Sequence, residues 1–220
     1  MVRSDYVLRL IEQFFQILKR VLNYRQERRY AEALTAVRKA YRAFLGVDAD
    51  FIDSQSAEGL IEMGRSGLFG PEQLAMAAKL LSEEAESLEG LEAPLEAGPR
   101  RAKALALFWE AFLGRGAPRL EFLSEDVDAL LERLEGEGLP LSLARQAPLW
   151  HERRGRLSAA EDAWFRLAEA GDGASREAGD AFYGRLEALG DEELEAGGLP
   201  RDEVEDGLEA WRAAWARRDG

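Results

Sequence analysis

The sequence predicts an all-α fold, and three observations carry that prediction. Apolar residues recur at steps of three and four along nearly the whole chain, strict alternation of apolar and polar residues is almost absent, and the interruptions fall on Gly and Pro. At 220 residues the chain is long enough to bury about 70% of its unfolded surface. A core of ordinary size therefore needs neither metal nor crosslink.

The elements follow from local chemistry. Tyr6, Val7, Leu10, Ile11, Phe14, Phe15, Leu18, Val21 and Leu22 mark a first helix of about 18 to 20 residues behind a Ser4 or Asp5 cap. A polar hinge around Gln26 to Arg29 leads to a second helix with Tyr30, Ala33, Leu34, Val37, Tyr41 and Phe44, closed by Gly46. The two are expected to pack as an antiparallel hairpin. A short helix is expected from Ser56 to about Met63, stopped by Gly64 and Gly67. Gly70-Pro71 starts another, because a Pro at the first helical position lacks only an N–H that has no helical partner anyway. Its face reads Leu74, Ala77, Ala78, Leu81, Ala85 and Leu88, small enough to admit a close neighbour.

Residues 90–99 hold two Gly and two Pro and form the clearest break. The chain is read as a single all-helical domain, 1–220, in two layers, 1–92 and 99–220, jointed there. Pro99 is expected to open a helix with Leu105, Phe108, Trp109 and Phe112, closed by Gly114 and Gly116, and Ser124 to cap one with Val127, Leu130, Leu131 and Leu134. Four further segments, 141–154, 158–170, 175–189 and 200–217, keep the helical period; in the last, Val204, Leu208, Trp211 and Trp215 share one face.

Composition narrows the function classes. With no Cys and one His, His151, disulfides, thiolate metal sites, Cys nucleophiles and multi-His centres are excluded. The sequence has no apolar window long enough for a membrane span and no signal-peptide order, and the expected compartment is the cytoplasm. Arg outnumbers Lys by 25 to 4, which fits a GC-rich genome or a hot habitat equally well. The net charge of −13 disfavours nucleic acid as a partner, but it is uneven: residues 1–45 carry +6 and residues 46–220 carry −19. A small basic head thus precedes an acidic body.

The run P-L-W-H-E-R-R-G-R-L-S-A-A-E-D-A-W-F-R-L, within 144–170, looks like one tetratricopeptide-type helix pair. Gly155 ends its first helix, Leu157 fills the turn, Ala160 is small where the helices touch, and Trp164 and Leu167 follow. A fainter copy surrounds Ala33, offset by 127 residues, and Pro148 is expected to bend or start the first helix of the pair. The expected architecture is therefore antiparallel helix hairpins stacked as a compact, degenerate tetratricopeptide-like repeat. The opening S-D-Y-V-L-R-L-I-E-Q (Ser4 to Gln13) and the segment from Phe182 to Trp211, F-Y-G-R-L-E-A-L-G-D-E-E-L-E-A-G-G-L-P-R-D-E-V-E-D-G-L-E-A-W, with that helix pair between them, resemble a bacterial family catalogued as a domain of unknown function. The resemblance implies an all-helical, tetratricopeptide-like protein and carries no catalytic residue.

Chemistry-bearing motifs are few. Asp48, Asp50 and Asp53 suggest a calcium loop, but the sixth and twelfth positions that need Gly and Glu hold Asp53 and Gly59. The pairs Glu83-Glu84, Glu192-Glu193 and Asp202-Glu203 are no more than 42 acids produce by chance. No phosphate-cradling loop or nucleophile elbow is present, so no cofactor and no catalytic or metal-binding residue is assigned. Candidate interaction residues are the aromatics Phe14, Phe15, Trp211 and Trp215 and the cations Arg20, Arg25, Arg28 and Arg29. They lead to the expectation of a non-catalytic helical scaffold or adaptor, whose partner is another protein or a second copy of itself. The alternative is a module that contacts an anionic membrane surface or RNA through the basic hairpin.

Overall fold

The structure, a computed structural model, describes residues 2–114, 116 and 118–219, without the side chains of 2–6 and 219; the first helix begins at Val2, so Ser4 and Asp5, expected as its cap, already lie within it. No strand occurs among the described residues, as the sequence predicts. No helix among them is long and apolar enough to cross a membrane. The chain divides into two compact units, Met1–Gly138 and Leu139–Gly220.

In the first unit α1 (Val2–Gln26) runs longer than expected and turns at Glu27 to Arg29 into α2 (Tyr30–Leu45). Gly46 ends α2 in the left-handed conformation, φ 74°, which a side chain would strain. Two short helices follow, α3 (Ala49–Ser54) and α4 (Ala57–Arg65). The sequence reading contains only the second. The Asp48 carboxylate accepts from the Phe51 N–H and the Ser56 hydroxyl from the Gly59 N–H, so each short helix is set by its N-cap.

Next come α5 (Pro71–Gly90) and α6 (Pro94–Leu113), which pack along each other, while α2 packs on α5 and α1 on α2. The break at 90–99 is thus the turn between two paired helices inside the first unit, rather than a joint between layers. Pro94, not Pro99, opens α6, and Pro99 lies within it. Leu95 is 92% exposed, so water can take the carbonyl that Pro99 leaves without an N–H. The expected Ser124 cap is also corrected. A 3₁₀ turn at Glu121–Leu123 runs straight into α7 (Ser124–Glu137), so Ser124 is already helical and its hydroxyl bonds Glu121 instead.

The second unit begins with a helix that Pro148 interrupts, giving α8 (Leu141–Ala144) and α9 (Ala147–Arg153). Gly155, at φ 69°, turns the chain into α10 (Leu157–Glu169), which packs on α9 with Ala160 fully buried. There follow α11 (Arg176–Glu187), α12 (Asp191–Ala196) and α13 (Arg201–Asp219). The sequence period misses α12, which the Glu193 carboxylate caps by accepting from the Gly190 N–H. Trp164, Leu167, Phe182, Tyr183, Leu199, Val204, Trp211 and Trp215 form one apolar core here. Gly179 is required by it, because a Cβ at that position would overlap the Trp211 ring.

Candidate interaction surfaces

Part of the basic head is neutralised by the first unit's own acids: Arg25, Arg29 and Arg38 are paired, whereas Lys19, Arg20, Arg28, Lys39 and Arg42 are exposed and make no ion pair with another described residue. The head's neighbour α5 is enclosed by α2 and α6, and its Lys79, Glu83, Glu84 and Ser87 are buried with it. Buried charge must be paired. Arg25 donates to Glu83 at 2.6 Å and to Glu86 at 3.0 Å. Arg38 bonds Asp53 and Asp50 and lies 3.5 Å from Glu84, which Arg100 also holds at 2.9 Å. Burial is the strongest influence on both glutamates, with different outcomes. Lys79 and Arg25 outweigh it at Glu83, whose carboxyl sits below its ordinary range, whereas at Glu84 burial prevails over Arg100 and Arg38 and the carboxyl is raised.

Among the candidate cations, Arg29 bonds Glu27 and Glu32 and lies over the Tyr24 ring at 4.6 Å. Arg28 holds the left-handed turn position, φ 58°, exposed. Arg20 projects from the outer side of α1, also exposed. Neither Arg20 nor Arg28 makes an ion pair with another described residue.

The neighbouring aromatics of α1 part ways, because successive helical residues point about 100° apart. Phe14 is wholly buried, with Phe44 edge-on at 5.1 Å. Phe15 is 44% exposed and stacks at 4.3 Å on Phe122, itself 40% exposed. Leu8 and Leu22 are 50% and 42% exposed. They stand seven residues either side of Phe15, on the same side of the helix. Together with Phe122 they make an apolar stripe about 21 Å long at 1.5 Å per residue, with Glu12 and Lys19 along its outer edge. Sequence reading found Phe15 but not this company. The seven-residue spacing of Leu8, Phe15 and Leu22 was visible, whereas nothing in the sequence places Phe122 beside them.

In the second unit the candidate aromatics serve the core. Trp211 is fully buried, its indole N–H donating to Asp180 at 2.8 Å, and Phe165 and Trp215 meet it edge-on, each at 5.7 Å. Trp215, only 5% exposed, also lines an open groove of about 360 Å³ between α11 and α13 with Tyr183, Leu208 and Gly184. Space around Gly184 is empty, so no neighbour in this fold requires a glycine there.

The remaining motifs have structural uses. Asp48 caps α3, and Asp50 and Asp53 hold Arg38. No group of three or more His, Cys, Asp or Glu among the described residues is arranged to hold a metal ion. His151 lies half-buried in the last turn of α9. Burial raises the Glu161 carboxyl, against the opposing hydrogen bond that Tyr183 donates to it at 2.6 Å.

A family model described as a family of unknown function (DUF6483) matches residues 1–214. No curated protein and no solved structure matches the chain.

Proposed function

The chain belongs to DUF6483, a family of unknown function, and from its surfaces we propose that it is a cytoplasmic, non-catalytic helical scaffold or adaptor that works by protein–protein contact. The observation that carries this reading is the stripe of Leu8, Phe15, Leu22 and Phe122. Four large apolar side chains, each 40–50% exposed, converge on one strip of a long helix, and contiguous apolar surface of this kind favours burial against a protein partner. The α9–α10 pair supports a tetratricopeptide-like origin through Gly155 in its turn, Ala160 at the crossing and Trp164 behind it, with Pro148 as the departure. The absence of a catalytic role is argued from the acids. Glu84 is held by Arg100 and Arg38, Glu161 by Tyr183, and Asp180 beside the groove by Trp211.

Phe15→Glu places a charge in the stripe without touching the buried face of α1. Immobilised wild-type and Phe15→Glu chains of equal helicity are to be exposed to lysate of the native cell. Proteins retained by the wild type, this chain among them, are expected to be lost from the variant. Identical sets on both would remove the reading.

A second reading, contact with an anionic membrane or RNA, is favoured by the exposure of Lys19, Arg20, Arg28, Lys39 and Arg42, none of which makes an ion pair with another described residue. It predicts retention on heparin or anionic vesicles at low salt that salt abolishes and that Arg20→Ala/Arg28→Ala weakens. Lack of retention at low salt ends it.

A further inference from the structure

We propose that the occupant of the α1 stripe is a second copy of this chain, lying antiparallel, with the two-fold axis passing beside Phe15. This rests on the reading of the stripe as a protein-docking face and names its partner. The argument begins with symmetry. A two-fold interface presents one patch to itself, so residue i meets residue j and j meets i. Leu8 and Leu22 lie seven residues before and after Phe15, so an antiparallel copy sets Leu8 against the second copy's Leu22, and Phe15 against Phe15. Phe122, stacked on Phe15, brings a second ring from each copy. Four rings then gather at the axis, where aromatic residues contribute most to an interface.

Charge selects the orientation. Glu12 and Lys19 each stand four residues after a stripe residue, Leu8 and Phe15, so both flank the same edge, and both are exposed. In an antiparallel helix pair this edge faces itself, and the Glu12 of each copy lies level with the Lys19 of the other, giving two opposite-charge pairs. A parallel pair sets Glu12 level with Glu12 and Lys19 level with Lys19. Neither residue makes an ion pair with another described residue of its own chain, so both are available. The inner edge of the stripe is formed by Ile11 and Leu18, which are buried within the first unit at 9% and 6% exposure. About three to four turns of helix make a small interface beside the roughly 800 Å² per partner of a standard complex. The dimer is therefore reversible and concentration-dependent.

Sedimentation equilibrium of the full-length chain over a wide concentration range tests this, with helicity by circular dichroism as the folding control. The wild type is expected to dimerise and Phe15→Glu to remain monomeric. Glu12→Lys and Lys19→Glu are each expected to weaken the dimer about tenfold by making both pairs repulsive. An equimolar mixture of these two single variants restores it, and so, separately, does the chain carrying both substitutions. Loss in each single variant with recovery in the doubly substituted chain is the pattern that only the antiparallel arrangement gives, because in a parallel pair that chain keeps like charges level. A wild type that stays monomeric, or a mixture no more dimeric than either variant alone, overturns the proposal. A monomeric wild type that still retains other proteins through Phe15 removes the dimer and leaves the scaffold reading standing. A dimer that obeys the charge exchange, with Phe15→Glu retaining the same foreign proteins as wild type, upholds the dimer and confines the stripe to self-association.

Discussion

Truncation of Trp211 to alanine is expected to lower the stability of the second unit by about 3–5 kcal/mol, the range for removing a large aromatic from a packed core. The ring is fully buried, with Phe165 and Trp215 edge-on and Tyr183 at 6.3 Å. It rests on Gly179, which has no side chain to move into the space the ring leaves. The cavity therefore persists, and lost contacts add to lost transfer energy. The indole hydrogen bond matters less, because its acceptor Asp180 is exposed and returns to water. Trp211→Phe keeps most of the ring packing and should cost clearly less. Four of the five tryptophans lie in this unit, so urea unfolding followed by tryptophan emission reports it directly. An unchanged midpoint for Trp211→Ala would contradict the account of the core.

Which features the sequence disclosed follows from the range of the interactions that made them. The helical class, Pro71 at the start of α5, Gly46 and Gly155 at turns, and the break at Pro148 all depend on residues within one turn of each other, and all are readable. The six-residue helices α3 and α12 are also local, but too short to show a period; only their capping residues signal them. Phe14 and Phe15 were equal in the sequence because adjacency conceals which of two faces meets α2. The basic head was legible as a count of charges and not as a surface. Arg25 finds its acids on α5, 58 residues away in the case of Glu83, and Arg38 reaches Asp50 and Asp53 on α3 and Glu84 on α5. No local spacing announces such pairs. The same holds for α5 itself. Its apolar face was plain, but the burial of Lys79, Glu83 and Glu84 comes from helices that arrive on its other sides.

The cost of breaking that buried cluster is the second large effect. Lys79→Ala is expected to destabilise the first unit by about 3–5 kcal/mol, because removing one partner strands the other as buried charge. Lys79 Nζ lies 2.7 Å from Glu83 and also holds the Asp126 carboxylate. Asp126 is partly exposed and recovers water, whereas Glu83 is only 2% exposed and is left with Arg25 alone. The pH dependence follows in sign. In the wild type Glu83 titrates below its ordinary 4.5, so its contribution is complete at neutral pH and is lost as pH falls through that depressed value. In Lys79→Ala burial outweighs the one remaining cation and lifts the carboxyl, so the folded state loses stability as pH rises through the lifted value. The difference between wild type and variant is accordingly greatest near pH 7 and shrinks toward pH 4, where Glu83 is protonated in the variant. Urea midpoints by far-ultraviolet circular dichroism at the two pH values measure it. Lys79→Met/Glu83→Leu, which removes both charges and keeps the volume, should recover most of the loss, since Arg25 retains Glu86 at 3.0 Å and is itself partly exposed. If the double variant is as unstable as Lys79→Ala, stranded charge is not the cause and the packing of the Lys79 stem is.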